Sequence, residues 1–420
     1  MAGKLSRLFK RLAQDKGGNI LLMAGAGMTV LVGGAGLGVD TVNWYLWKRQ
    51  MQQAVDTSAT AGALSLAQGH GFDSSARSEL ARTANNVFVI ERIANPPQTG
   101  AFQGQRDAVE VIATTSFILP FSSMFLDQAP VIRTRAVAGA VAVGEPCIRA
   151  LAKSGTGVEV FGGAKVDLGC PVSSNSPGGV SVDVGGSSQL NTDLIMSVGG
   201  INYGSGNIPD DATVVTYGLP VDDPLKDRSL SINAPCTENN FRVGSSETKT
   251  LEACEYKNGL RIQGTAELKE GIYVINGGSL QVNAGATIKL APGARGVTFV
   301  LTGPGPNQVA TISINGGANI DLSATTYEQN PNYAGILFYQ DKMGTNRQHT
   351  INGGSNINLE GAIYMPTGDL SYNGGADQSA QCLLIVTERV RFGGSNKIAN
   401  NCNTDLDRID SAARVVRVVE

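Results

Sequence analysis

The sequence predicts a membrane-anchored multidomain protein: one N-terminal transmembrane helix extending into a small α+β module, then a mainly-β region wound as a parallel β-helix. Three observations lead there. Gly17 to Val39 form an uncharged run of 23 residues. Beyond it, apolar residues keep helical spacing as far as Gln68 and then give way to alternation. From Phe161 to Phe392 a Gly-Gly unit followed by alternating apolar positions recurs seven times.

Residues 1–16 read as a cytoplasmic basic lead, with Leu5, Leu8, Phe9 and Leu12 on one side of an amphipathic stretch suited to the inner membrane surface. Residues 17–39 are the span: at 1.5 Å per residue they reach about 35 Å, against a hydrocarbon core of about 30 Å. Lys4, Arg7, Lys10, Arg11 and Lys16 precede the run and only Lys48 and Arg49 follow it closely, so the positive-inside rule puts Met1 in the cytoplasm. Trp44, Tyr45 and Trp47 fall where an outer aromatic belt would lie. Ala24-Gly25-Ala26 imitates a signal-peptide cleavage site, but Ile20 to Met23 are too short an apolar core before it. A buried soluble helix is disfavoured by eight glycines in the run, which membrane helices tolerate. Gly34 and Gly38 form a small-xxx-small pair, a candidate packing face for a second helix.

Residues 40–145 continue outward as helix through Trp44, Trp47, Met51, Val55 and Ala59, and Gly69 to Gly71 break it. A second helix is expected from Asp73, its cap, to Asn95-Pro96-Pro97. Alternation from Arg106 (Val109, Val111, Ala113) and from Val131 predicts a hairpin or small sheet packed on the long helix.

This N-terminal third resembles the TadE/TadG-like family of Flp (Tad) pilus-assembly proteins. The likeness rests on the basic lead, Lys16-Gly17-Gly18-Asn19, Gly38-Val39-Asp40, and then Arg49, Gln50, Met51, Gln52, Ala54, Asp56, Ala59, Ala61, Gly62 and Ala63 along one helix. It is close over residues 10–70 and looser to 145. Prepilins carry a Glu five residues after the Gly of their cleavage site; here Met23 stands five after Gly18, so cleavage by a prepilin peptidase is not expected. Many TadG members also bear a metal-binding DxSxS/T motif. Asp56-Thr57-Ser58-Ala59-Thr60 fits it literally, but lies inside a helix instead of at a strand end. The resemblance implies a structural or assembly role, with the inner membrane and other Tad pilus-assembly or pilin-like subunits as partners.

Residues 146–402 are the expected β-helix. From Gly353 to Gly374 is 21 residues and from Gly374 to Gly393 is 19, while the steps from Gly277 to Gly316 and Gly316 to Gly353 are 39 and 37, as if each held two coils of about 20. Asn276, Asn315, Asn352 and Asn373 recur before the glycines, which suggests a stacked amide ladder. Between about 202 and 258 the repeat lapses, and that stretch reads as an insertion. Residues 403–420 read as a capping tail, its RVVRVV from Arg414 pairing against the final coil. The Gly-rich part also resembles C-terminal regions of some TadE/TadG-like proteins and, more distantly, bactofilin β-helices.

Six cysteines, Cys147, Cys170, Cys236, Cys254, Cys382 and Cys402, all lie beyond the span, an even number in an oxidising compartment. Nearest-neighbour pairing is the working assignment among fifteen connectivities. There is no CxxC, and His70 and His349 are distant from the cysteines, so zinc is not expected. Charged residues make up 16% and the net charge is −3, which gives no basic field for nucleic acid. A rival class is a β-helix polysaccharide lyase or hydrolase, whose carboxylates could be drawn from Asp222, Asp223 and Asp227 with Lys226 and Arg228, or Glu388 with Arg389 and Arg391. A solvated charge run explains the first set and a surface strand the second. No catalytic residue, metal, cofactor or small-molecule ligand is therefore expected. A third class is an envelope adhesin or scaffold that uses a TadE/TadG-like anchor.

Overall fold

A computed structural model describes residues 18–84, 88–124, 126–228, 234–354, 357–374, 381–399, 405–409 and 412–420. The basic lead and Cys402 lie outside them. The chain divides into two units: unit 1 is Met1–Val141 with Val416–Glu420, and unit 2 is Ala142–Val415.

Unit 1 is built on α1, Gly18–Ala67, 50 residues or roughly 75 Å of helix. The predicted span and its outward extension are one uninterrupted rod. Along its first half, Met28, Val30 and Leu31 are 68–74% exposed, an apolar surface that no part of the described chain covers. From Met51 onward one face is buried: Met51, Ala54, Val55, Ala59 and Ala63 pack on Ala76 and Leu80 of α2 (Phe72–Thr83) and on a sheet. The small residues of this stretch have a steric reason. A Cβ on Gly62 would stand 3.2 Å from both Ala76 Cβ and Val109 Cγ1, so helix, helix and sheet meet at close range. Gln52 donates to the Arg135 carbonyl at 2.9 Å and Ser58 to that of Ala76 at 2.7 Å, tying α1 to the sheet and to α2.

The second helix is shorter than the sequence suggests. It stops at Thr83, and Val89–Ala94 form strand β1 instead, where β-branched residues pair antiparallel with β2 (Ala108–Ser116). Asp73 does not cap α2; it pairs with Arg77 one turn on, at 2.7 Å. β2 pairs antiparallel with β3 (Val131–Gly144). The C-terminal strand Ala413–Val418 is the fourth member of this sheet, beside β3. The tail thus does not close the final coil. The edge of β3 attracts it: Val419 donates to the Val137 carbonyl at 2.8 Å, and the Glu420 carboxylate meets Arg135 at 2.9 Å.

Unit 2 consists of short strands in three parallel ladders, three strands to a rung. In the first, Tyr256 pairs with Ile275, Ile275 with Leu301 and Leu301 with Gln340. In the second, Ile262 pairs with Val282, Val282 with Ile314 and Ile314 with Ile351. In the third, Ala266 pairs with Ile288, Ile288 with Ile320 and Ile320 with Ile357. Alternate residues point inward. Tyr273, Phe299 and Phe338 form a buried stack with centroids 5.3 and 5.5 Å apart.

The order of rungs is not the order of the chain. Ile385, near the C-terminus, pairs with Ile148, Val390 with Val158 and Ser395 with Lys165, so the first rung made is stacked directly on the last. From there the stack continues through Val172–Ser174 and Leu194–Ser197 to Thr213–Val215. Residues 216–236 then lead back to Thr237, in the rung at the opposite end. Leu225 of this strap is buried, Lys342 Nζ donates to the carbonyls of Leu225, Lys226 and Arg228 at 2.6–2.9 Å, and Tyr364 donates to Asp223 at 2.9 Å.

Three expectations for this region change. The supposed insertion at 202–258 supplies ladder strands Thr237–Val243, Thr248–Leu251 and Glu255–Ile262, leaving only the strap outside. Its polar composition fits an exposed end rung, whose residues Thr237 to Asn240 are all exposed. The step of 37 is a single rung, since Ser313 pairs with Thr350, and its extra residues lie in loops between strands; the step of 39 joins two different corners of the coil, since Asn276 pairs with Thr302 and Leu280 with Ile312, 26 and 32 residues on. The amide ladder is partial. Asn373 donates to Asn352 at 2.8 Å, but Asn276, whose in-register neighbours are Lys257 and Thr302, donates to Glu255 instead.

Cys147–Cys170 and Cys236–Cys254 are disulfides. Each joins residues just ahead of two stacked strands, Ile148–Ala150 on Val172–Ser174 and Thr237–Val243 on Glu255–Ile262, so they staple rungs instead of a loop. The pairing expected for Cys382 involves Cys402 and so lies outside the described residues.

Candidate functional site

The surface that distinguishes unit 1 is the first half of α1 with the loop that folds back onto it. Gly34 and Gly38 have no atom within 4 Å of where a Cβ would lie, so that strip is open to close approach. Gly36, roughly 200° around the helix from either, is the reverse: a Cβ there would overlap the ring of Phe121. The loop therefore occupies one side of the helix and leaves the Gly34/Gly38 side clear.

Asp40 fixes the loop. Its side chain ends the uncharged run, is only 1% exposed, and accepts the Ser122 N–H at 2.6 Å. Farther along, Trp47 of the expected aromatic belt packs against Phe117, the rings tilted by 48° with centroids 4.3 Å apart, while Tyr45 is 64% exposed. Trp47 and Phe117 also wall an open cleft of about 380 Å³ with Gln50, Met51 and Thr115. Asp40→Leu is expected to destabilise the loop by about 1–3 kcal/mol by orphaning a buried N–H, and Asp40→Asn, which keeps an acceptor, by less. Hydrogen exchange at Ser122 measures this; equal protection in both variants would refute the role given to Asp40.

The residues matching DxSxT do not converge on a ligand position. Asp56 accepts from Gln52 at 2.7 Å, Ser58 donates to the Ala76 carbonyl at 2.7 Å, and Thr60 donates to the Asp56 carbonyl of its own helix at 2.8 Å. The acidic sets weighed for catalysis are engaged elsewhere. Asp223 holds Tyr364 and the Leu225 N–H, Asp222 pairs with Lys226 at 3.6 Å, and Arg228 donates to the carbonyls of Pro331 and Asn332. Glu388 meets Arg389 at 3.0 Å, and Arg391 meets Glu159 at 2.7 Å.

A buried polar position in unit 2 escaped the sequence reading. His349 is 1% exposed; its Nδ1 accepts the Ile312 N–H at 3.2 Å, and its Nε2 has no partner among the described residues. Gly368 makes room for it, since a Cβ there would come within 2.8 Å of Nε2. The only sequence signal is that glycine, one rung from a histidine in an alternating run. Burial, aided by Arg347, pulls the imidazole down to about 3, so it is neutral in the fold. In the unfolded chain it titrates near 6.5 and takes its proton first as pH falls. Its contribution is thus complete above about pH 6.5 and declines toward pH 3, by about 2 kcal/mol at pH 5. Urea unfolding of wild type and His349→Gln at pH 7.5 and 5 should show the variant losing that much less on acidification. Equal losses would refute it.

No curated protein and no solved structure matches the chain. Residues 18–65, which lie wholly within α1, match the model of the Tad family, Flp pilus-assembly TadE/G-like. Through that helix, from the open glycine strip to the packed alanines, the chain is similar to TadE/G-like Flp pilus-assembly proteins.

Proposed function

We propose that the protein is a structural or assembly component of the Flp (Tad) pilus machinery, moored in the bacterial inner membrane by α1, with its N-terminus cytoplasmic and both units beyond the span periplasmic. The observation that carries this reading is that the matched segment is a single helix, bare and apolar over one half and packed into a folded unit over the other. The excess of basic residues before the run supports the orientation, and the disulfides support an oxidising compartment. Unit 2 reads as a parallel β-helix, each rung stacked on the next, which suits a rigid projection more than a catalytic cleft. The role is mechanical: the Gly34/Gly38 strip docks laterally against a helix of another Tad or pilin-like subunit, while unit 2 presents a surface to the envelope. No reaction and no cofactor are part of it.

Deleting the gene should abolish or shorten Flp pili seen by electron microscopy, and the full chain should restore them. An alkaline phosphatase fusion after Glu420 should be active and one at Met1 inactive. Normal pili with lost surface adhesion would instead favour an envelope adhesin on a borrowed anchor.

A further inference from the structure

Among the described residues of unit 1 outside α1, the loop of residues 117–124 with Leu126 gathers three exposed large apolar side chains, Ile118, Met124 and Leu126. From Val111 to Leu126 there is no charged residue. Ile118 is 70%, Met124 77% and Leu126 45% exposed, whereas Leu119 and Ser122 are buried against the unit. The loop therefore has an inner side that is packed and an outer side of large apolar groups with nothing on them.

Its place along α1 says what covers that side. Phe117 lies on Trp47, the Ser122 N–H is held by Asp40, and Phe121 covers Gly36. Those three positions cover roughly 16 Å of helix axis, running from the aromatic belt back inside the uncharged run. The loop thus descends beside the span to the depth of residues that, in the membrane reading, are among lipid chains.

Part of its backbone is bonded within the loop, while the N–H groups of Phe117, Ile118, Leu119 and Phe121 have no acceptor among the described residues, which suits the interfacial depth where headgroups and water can serve them. Irregular chain is tolerated in hydrocarbon only when its polar groups are satisfied internally. Ser123 donates to the Leu119 carbonyl at 2.9 Å, Met124 to that of Phe121 at 3.2 Å and Leu126 to that of Ser122 at 2.8 Å. Pro120 has no N–H to satisfy, Asp40 takes the Ser122 N–H, and the Ser123 hydroxyl donates to the Pro120 carbonyl at 2.8 Å.

We propose that the loop of residues 117–124, with Leu126, is a second membrane contact: an apolar loop, latched by Asp40, that inserts Ile118, Met124 and Leu126 at the boundary of headgroups and acyl chains in the leaflet at the C-terminal end of the span. With α1 it makes a two-point anchor, which fixes the rotation of the helix about its axis and so the direction in which the Gly34/Gly38 strip faces. The inference rests on the reading of α1 as a span, and its test separates the two.

Single cysteines introduced as V32C, I118C, M124C and Y203C in the full chain, native disulfides left oxidised, are labelled with a small fluorophore. The protein is reconstituted in phosphatidylethanolamine and phosphatidylglycerol vesicles containing lipids spin-labelled on the acyl chain. All four positions are 48–77% exposed, so the labels should not disturb packing. Quenching at Ile118 and Met124 should come within about twofold of that at Val32, with Tyr203 unquenched. Quenching at Val32 but not at Ile118 or Met124 would overturn the loop's insertion and leave the span intact, as when another protein covers the loop. Absence of quenching at Val32 would remove the span and the inference together.

Discussion

Phe299→Ala is expected to destabilise unit 2 by about 3–5 kcal/mol, the range for deleting a fully buried aromatic ring. The ring is inaccessible to solvent and lies between Tyr273 at 5.3 Å and Phe338 at 5.5 Å. Its neighbours cannot slide in to fill the space, because Tyr273, Phe299 and Phe338 hold matching positions in the ladder and each backbone is pinned by hydrogen bonds above and below. A cavity that cannot collapse carries the full penalty. Phe299→Leu, which restores most of the volume, should cost about 1–1.5 kcal/mol. Hydrogen exchange over Val297–Thr302 in the full chain, followed through urea unfolding, measures both. A loss under about 1 kcal/mol for the alanine variant would show that the rungs adjust independently.

What the sequence revealed and what it hid differ in range. The long helix was legible because everything that specifies α1 is local: an uncharged run, helical spacing, and glycines at Gly69 and Gly71 that end it. The end of α2 was not, because the residues before Pro96 suit a helix nearly as well as the strand that β2 makes of them. Ladder strands announced themselves by alternation, but period-two patterning names no partner. Nothing around Ile148 says that it will stack on Ile385, and nothing in a step of 37 residues separates two short rungs from one long one. The latch failed for the same reason. Asp40 and Ser122 are 82 residues apart, and a Phe-rich loop reads the same whether it covers Gly36 or floats free. Proximity in sequence is enough to name the disulfide pairs 147–170 and 236–254, yet what they hold together, stacked rungs, follows only from the register.

Glu110 shows how far alternation can mislead and how much follows from the error. In Val109-Glu110-Val111 it reads as the solvent side of β2, yet its side chain is wholly buried, because the stretch after Pro96 and Pro97 folds over that face. It accepts from Arg135 at 2.7 Å, Thr99 Oγ1 at 2.6 Å and the Gln98 N–H at 3.1 Å, with Arg92 at 3.6 Å. Burial alone would push the carboxyl up, but these donors together hold it below the ordinary carboxylate range. Its stabilising contribution is therefore present above the unfolded value near 4.3 and is lost as pH falls through the folded one.

Glu110→Ala is expected to destabilise unit 1 by about 3–5 kcal/mol, since it leaves Arg135 enclosed beside β2 without its main counter-charge. Arg135 would keep only Glu420 and the Thr99 carbonyl. The pair should be worth less than the deletion suggests: Glu110→Ala with Arg135→Met should recover a large part of the loss, because the cost lies in the orphaned charge more than in the bond. Urea unfolding of the four species of that cycle at pH 7 supplies the coupling energy. Additive losses would mean that Arg135 reaches solvent once Glu110 is gone, and that the C-terminal residue, not the carboxylate of β2, holds it in place.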